Sequence, residues 1–419
     1  MRHTTWIAAV LCAAAFIVPR HTAAENWPTW RGPTSDGVSL ETNLPAEWSA
    51  EKNILWRREL PGAAGATPIV WEDRIFLTAG LTDKEEVALL CLNLDGDILW
   101  QKSFADENWS ARGGDGNAAS PSPVTDGKHV WAFASNGDLA CYDFKGNKAW
   151  ALDLENRYGR IKVGFTFASS PVLDGDKLYL QLIHADDSLV VALDKSDGKE
   201  IWRHKRATDA RGESKQSYAS SFLWRANGQE ALIVHGADYA TGHALKDGAE
   251  LWRLSGLNPK NNYNSGFRFV ASPVARDGIV VIPTAKRGST FGLKGPLKAN
   301  VNFKWKVDTT GDVPSPLIYD GLVYICRING FLVCVDGETG EQLYHVEAAR
   351  GDYRSSPVYA DGKIHLISRR GVVTVVKAGR TYESVGFSDM KETTSASMAV
   401  SNGRLYIRTY NALYAIGEK

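Results

Sequence analysis

What this 419-residue sequence lacks is the first guide to what it does. Crossing a bilayer as a helix takes roughly 20 apolar residues, and the unbroken apolar run Trp6–Val18 has 13. That excludes a transmembrane anchor. There is no charge excess either, with 48 lysines and arginines against 48 acids. Removing residues 1–24 takes away Arg2 and Arg20 and no acid, leaving 46 basic against 48 acidic residues. No strong field of one sign would draw in nucleic acid or anionic lipid. There is no glycine-rich phosphate loop, no Cys/His zinc spacing and no serine-centred nucleophile motif. Nor is there a long low-complexity tract of the kind that stays disordered. What remains is an ordinary globular balance, 44% hydrophobic and 23% charged, in a chain long enough that internal repeats must be sought before domains are counted.

The first 24 residues read as a secretory signal. Arg2 and His3 give a basic start, the apolar run follows, and Thr22-Ala23-Ala24 supplies small residues for cleavage after Ala24. Cys12 invites a lipoprotein reading, but Leu11 before it is bulky where lipoprotein processing needs a small residue. The expected location is periplasmic or extracellular. The expected organisation is a leader over residues 25–51 and a repeat domain over 52–419.

Eight segments share one pattern: small residues, usually a proline, then an apolar pair and a tight turn. They begin at Ala66-Thr67-Pro68, Ser120-Pro121-Ser122-Pro123, Ser169-Ser170-Pro171, Ser220-Ser221-Phe222, Ala271-Ser272-Pro273, Pro314-Ser315-Pro316, Ser355-Ser356-Pro357 and Ala396-Ser397-Met398, and recur every 41 to 55 residues. Repeats of that length with several short strands are propeller blades. Seven segments lead into Asp-Gly or Asn-Gly, from Asp126-Gly127 to Asn402-Gly403; the first has Glu72-Asp73. These pairs suit the positive φ of a two-residue hairpin, so strands A and B of each blade are expected to form one. Proline has no N–H to give a ladder, which places strand A at the inner edge facing the central channel.

A third strand ends near a small residue: Cys91, Cys141, Ala192, Ala244, Gly292, Cys334, Val375 and Ala415. In five repeats a glycine is followed four residues later by an aromatic: Trp100, Trp150, Trp202, Trp252 and Tyr344, with Trp305 and Tyr382 as looser matches. The glycine makes the C–D turn, and the aromatic opens strand D as a wedge between blades. The last repeat lacks a strand D. Asn53–Leu60 has one, with Trp56, and no blade before it. The expected fold is all-β: an eight-bladed propeller of four-stranded antiparallel blades, closed by this N-terminal strand.

At this point the residues resemble a known family. Ala192-Leu193-Asp194-Lys195-Ser196-Asp197-Gly198-Lys199-Glu200-Ile201-Trp202 is similar to the tryptophan-docking motif of quinoprotein propellers, with Asp for the usual Thr; Val335–Gly340 keeps the Thr. The leader Asn26-Trp27-Pro28-Thr29-Trp30-Arg31-Gly32-Pro33, with Asp36-Gly37, resembles the opening of secreted PQQ-like repeat proteins. The resemblance covers about residues 26–419. It implies a PQQ-like β-propeller of the quinoprotein alcohol dehydrogenase-like superfamily. One branch binds pyrroloquinoline quinone and Ca²⁺ on the axis and oxidises alcohols or sugars. The BamB-like branch uses the ring without cofactor as an envelope scaffold. The adjacent cysteine pair of several such dehydrogenases is missing, and no match to their Ca²⁺-binding Glu/Asn/Asp set appears.

Three cysteines, Cys91, Cys141 and Cys334, fill a repeat position that other blades give to alanine, and read as small core residues. Cys326 and Cys334 flank the Asn329-Gly330 turn, where an oxidising compartment would permit a disulfide. The docking set Trp56, Trp100, Trp150, Trp202, Trp252, Trp305, Tyr344 and Tyr382 recurs once per blade and reads as packing.

In an up-and-down blade the D–A and B–C connections leave on one face, the A–B and C–D turns on the other. The turns look short, whereas the D–A connections are long and varied, which marks the D–A face as the working one. Its candidates are Arg112, Tyr158, Arg160, Lys162, Phe165, Phe167, Tyr218, Tyr263, Phe267, Arg268, Phe269, Asp352, Tyr353 and Arg354. They read either as loop packing or as an aromatic and basic funnel for an anionic or peptide partner. The same-face His184-x-Asp186 could contribute to a metal site, but its spacing suits solvated turn residues as well. No catalytic residue, metal ligand or cofactor is expected, although PQQ with Ca²⁺ stays open. The leading expectation is a non-catalytic envelope scaffold with a protein partner. A quinone- and Ca²⁺-dependent dehydrogenase and a glycan-recognising propeller are the alternatives.

Overall fold

The structure, a computed structural model, describes residues 24–111, 114, 116–226 and 228–418. Residues 1–23 of the expected signal, and Arg112, lie outside them. Each repeat folds into one sheet of antiparallel strands, and in seven of the eight the first four strands run in chain order from the channel outwards. Blade 3 is representative: strand A is Val172–Asp174, B Lys177–Ile183, C Ser188–Asp194 and D Glu200–Lys205. Strands B and C are buried along nearly their whole length because neighbouring blades cover both faces; strand D alternates with solvent. The A–B turns form as the dipeptides demand in blades 5 to 8, whereas in blade 3 the turn pair is Gly175-Asp176 and in blade 2 four residues, 126–129, separate the paired strands. Asp277-Gly278, Asp320-Gly321, Asp361-Gly362 and Asn402-Gly403 have positive φ at both residues.

The ring closes through the N-terminal strand. Ile54–Glu59 pairs antiparallel with Ala412–Ile416, placing Trp56 opposite Ala415 and Glu59 opposite Ala412, and so becomes strand D of blade 8. Closure leaves no sheet edge at the seam. The seam is sealed as the other junctions are. The Trp56 indole lies against Gly96 of blade 1 and donates its N–H to the Leu94 carbonyl at 2.8 Å. Trp100, Trp150, Trp202 and Trp305 repeat this on the next blade, donating to Phe144, Lys195, Leu245 and Gly337 at 2.7–3.2 Å. The glycines beneath are obligatory: a Cβ on Gly340, at φ +79°, would sit 2.5 Å from the Trp305 Cβ.

The structure corrects the repeat reading in four places. In blade 4 the residue opposite the docking Trp252 is Gly242, not Ala244. The C–D link of blade 5 is not short: residues 295–304 reach back, and Ala299–Asn300 add a parallel strand to blade 4 beside Trp252 and Arg253. In blade 7, Tyr382 precedes strand D (Ser384–Asp389), packs against Tyr344 and does not dock. Gly386 stands opposite Val375 instead, because the leader's Ala46 carbonyl passes 2.1 Å from where a Cβ would be. Finally, Cys326 faces Leu332 and Cys334 faces Tyr324, so the two do not meet. All four described cysteines are free and buried. Among the described residues no helix is long and apolar enough to cross a membrane.

Candidate functional site: an axial cup closed by the leader

Strand A starts one residue after each proline, and the residue just before the proline faces the channel. Its backbone N–H has no strand to pair with. The neighbouring blade supplies the acceptor: Thr67 N–H donates to Ser122 Oγ, Ser122 to Ser170, Ser170 to Ser220, Ser220 to Ser272, Ser272 to Ser315, Ser315 to Ser356 and Ser356 to Ser397, each at 2.9–3.0 Å. The serines that look like mere small residues in the repeat therefore form a belt. They satisfy donors that would otherwise be buried and unpaired. Each belt hydroxyl accepts, so its own hydrogen is available to the lumen.

One end of the channel is blocked. The leader pairs with blade 1 through Trp27 and Val70 (2.8 and 2.9 Å) and with blade 2 through the Pro28 carbonyl and Thr125 N–H (3.1 Å). It then crosses the A–B end to blades 5, 6 and 7. There Arg276 pairs with Asp36 at 2.6 Å, Arg31 donates to the Pro316 carbonyl at 2.9 Å, and Gly37 and Ser39 bracket Tyr359. Arg31 is fully buried, which lowers its pKa to about 10 against the opposing pull of Asp36. Its neighbour Trp30 lies on the cavity wall as the floor. The result is a cup of about 310 Å³, open on the D–A face.

Above the belt the wall is set by the residue three before each proline position, on the same side of the extended backbone. Most are small, such as Gly65, Ala168 and Ser395; two are not, Tyr218 and Arg354. Phe165, Arg268, Lys286 and Asp312 complete the rim. The Arg268 guanidinium stands over the Phe165 ring at 5.0 Å, and Phe165 meets Tyr218 edge-on at 6.1 Å. Arg354 is held by Asp352 at 2.5 Å. Burial raises the Asp312 pKa against the opposing pull of Arg268, Lys286 and Arg354; its Oδ1 accepts the Lys286 N–H at 3.0 Å. Burial also pushes the Tyr218 phenol up to about 12.

Of the sequence candidates, the structure brings Phe165, Tyr218, Arg268 and Arg354 to the cup, with Asp352 behind Arg354. Phe167, Phe269 and Tyr353 are in the core, Phe167 against Phe133 and Phe269 against His235, and Phe267 is buried beside Phe269. Tyr158 points to Glu200, Lys162 to Asp186, and Tyr263 lies between Arg211 and Lys260 with its hydroxyl on Asp238. Arg160 is exposed and is not among the cup residues. Trp30, the belt and Asp312 were missed. The serine recurring one residue before the proline position was the available signal for the belt; nothing local marks Trp30 as a floor.

This geometry defines the class: a β-propeller of PQQ-like repeats with a one-ended axial cup. The family described as outer membrane protein assembly factor BamB matches residues 83–293, and the chain belongs to it. No curated protein matches the chain in sequence. Among solved structures it is similar to BamB from Moraxella catarrhalis, at 14% identity and TM-score 0.63, covering 87% of this chain and 99% of that one. It is also similar to a quinohemoprotein alcohol dehydrogenase from Pseudomonas putida HK5, at 12% identity and TM-score 0.67, covering 94% and 80%. A third match is the quinohemoprotein alcohol dehydrogenase from Comamonas testosteroni, at 13% and 0.63, covering 94% and 81%. At these identities the likeness is one of fold.

Proposed function

We propose that this chain is a non-catalytic binding propeller of the bacterial envelope, whose protein partner seats over the cup on the D–A face. The observation that carries this is the cup itself. Long connections from several blades converge on one opening, the other end is closed by the chain's own leader, and the rim mixes rigid aromatics with arginine, the composition of interaction hot spots. Membership in the BamB family agrees with a scaffold in the envelope.

The quinone reading meets a poor donor set. Ca²⁺ takes about six to eight oxygens, usually several of them from carboxylates. Among the described residues the cup offers one carboxylate, Asp312, already engaged with Lys286 N–H. A quinone held by Ca²⁺ does not fit this lining. The glycan reading draws on Trp30 and the hydroxyl belt, which could stack and hydrogen-bond a sugar.

The test is site-specific photocrosslinking in the producing bacterium. A photoreactive residue at Phe165 or Arg268 should give one discrete protein adduct, and the same group at exposed Gly175 on the A–B face should not. A calorimetric titration with pyrroloquinoline quinone and Ca²⁺ should be silent. Stoichiometric tight binding of the quinone, or adducts only from the A–B face, would overturn the proposal.

A further inference from the structure

The D–A face is not evenly charged, and the asymmetry is centred on the cup. Blades 5 to 7 present Lys286, Arg287, Arg350 and Arg370 from their connections, in addition to Arg268 and Arg354 at the rim. Among the described residues the first four form no ion pair. Of the carboxylates in the same arc, Asp308 meets Lys306 and Ser289, Asp312 accepts the Lys286 N–H, Asp352 pairs with Arg354 and Arg369, and Glu347 at the end of a strand D is exposed; Arg268 has Glu213 at 3.8 Å. Across the ring, around blade 1, the same face exposes Asp83, Glu85, Asp106 and Glu107, with Lys84 between the first two. The near-neutral total hides a face with unpaired basic residues at blades 5–7 and an acidic excess at blade 1, the charges between them at blades 2–4 being mixed and partly paired. An approaching anionic segment is repelled from blade 1 and drawn to blades 5–7.

The cup lies where that field ends. Its rim sets Arg268, Lys286 and Arg354 around the Asp312 carboxylate and meets lumen-facing hydroxyls that have donors to give, and the belt itself carries no charge. A void of about 310 Å³ holds one or two side chains, not a folded element. We infer that the recognised element is an acidic peptide segment of the partner, lying along the blade 5–7 arc and placing a carboxylate in the cup. This rests on the binding reading above and specifies its chemistry.

The test uses the full protein and a fluorescein-labelled peptide of alternating aspartate and glycine, with the asparagine–glycine peptide as control. Anisotropy should show saturable binding of the acidic peptide only, weakening steeply between about 50 and 200 mM salt as charge screening shortens. Arg268→Ala/Lys286→Ala should weaken it on the order of tenfold or more, equivalent to at least about 1.4 kcal/mol, with an unchanged melting temperature as the check on folding. Asp106→Lys/Glu107→Lys, on the opposite arc, should not weaken it. Equal binding of both peptides, or acidic-peptide binding indifferent to the rim variant, would overturn the inference. So would tighter binding of a uronic-acid oligosaccharide than of the acidic peptide. If crosslinks form at Phe165 or Arg268 but no acidic peptide binds, this inference fails and the scaffold reading stands. If neither occurs, both fail.

Discussion

Trp56→Ala probes the one junction that the chain makes by bringing its two ends together. Trp56 faces Ala415 on the C-terminal strand, packs near Tyr406 at 6.2 Å between ring centroids, and lies against Gly96 of blade 1. A tryptophan buries about 150–250 Å² when enclosed. At about 25 cal/mol per Å² and with roughly half of it covered here, the side chain contributes ~2–3 kcal/mol. Losing the indole hydrogen bond to Leu94 adds ~1 kcal/mol. The sum, ~3–4 kcal/mol, agrees with the usual cost of an aromatic-to-alanine change in a packed site. A chain of this size has an unfolding entropy of ~0.8 kcal/mol per degree, so the expected loss is ~4–5 °C in melting temperature. Scanning fluorimetry of Trp56→Ala beside Trp150→Ala, an interior docking residue of like burial, is the assay. The two should fall together, and hydrogen exchange should quicken over residues 54–59 and 412–416 in the first variant only. If Trp150→Ala melts early while Trp56→Ala is silent in both measurements, the N-terminal strand does not close the ring.

Three further outcomes follow from the packing. Burial lowers the pKa of His235 and His243 to about 3 and of His365 to about 4, against about 6.5 in the unfolded chain. The unfolded state therefore binds protons first. Stability should fall as pH drops from about 6.5 towards 4, by ~1.4 kcal/mol per pH unit for each histidine, and His365→Phe should reduce the slope of urea midpoint against pH by about one proton. Burial also raises the thiols of Cys91, Cys141, Cys326 and Cys334 to about 12. None should react with a thiol reagent at pH 8 until the protein unfolds; a pair still unreactive in denaturant would mean a disulfide. Gly340→Val brings a side chain into Trp305 at a backbone angle valine avoids, and should lower the melting temperature at least as much as Trp305→Phe does.

How much was legible in advance differs between fold and site. The blade count, the A–B hairpins and the closing strand are local or periodic signals: a serine and proline before an apolar pair, an Asp-Gly turn, an orphan strand carrying Trp56. Such signals survive in one dimension because each blade repeats the same short-range physics. The departures were tertiary. Tyr382 has the look of a docking aromatic, but the leader's Ala46 occupies that groove and leaves room for Gly386 alone. Phe167 and Phe269 sit in a loop that looked like a funnel wall, yet the loop turns them into the core and leaves Phe165 and Arg268 at the rim.

The sequence by itself determined the propeller, its eight blades and its closure, because repetition and turn chemistry act over a few residues and each blade reads them anew. Only the tertiary structure decided the cup. Trp30 reaches the axis because the leader crosses from blades 1 and 2 to blades 5, 6 and 7. The serines become a belt because each meets the backbone of the next blade, 41 to 55 residues away. Those are contacts between distant segments, fixed by the closing of the ring and not by any neighbour in sequence.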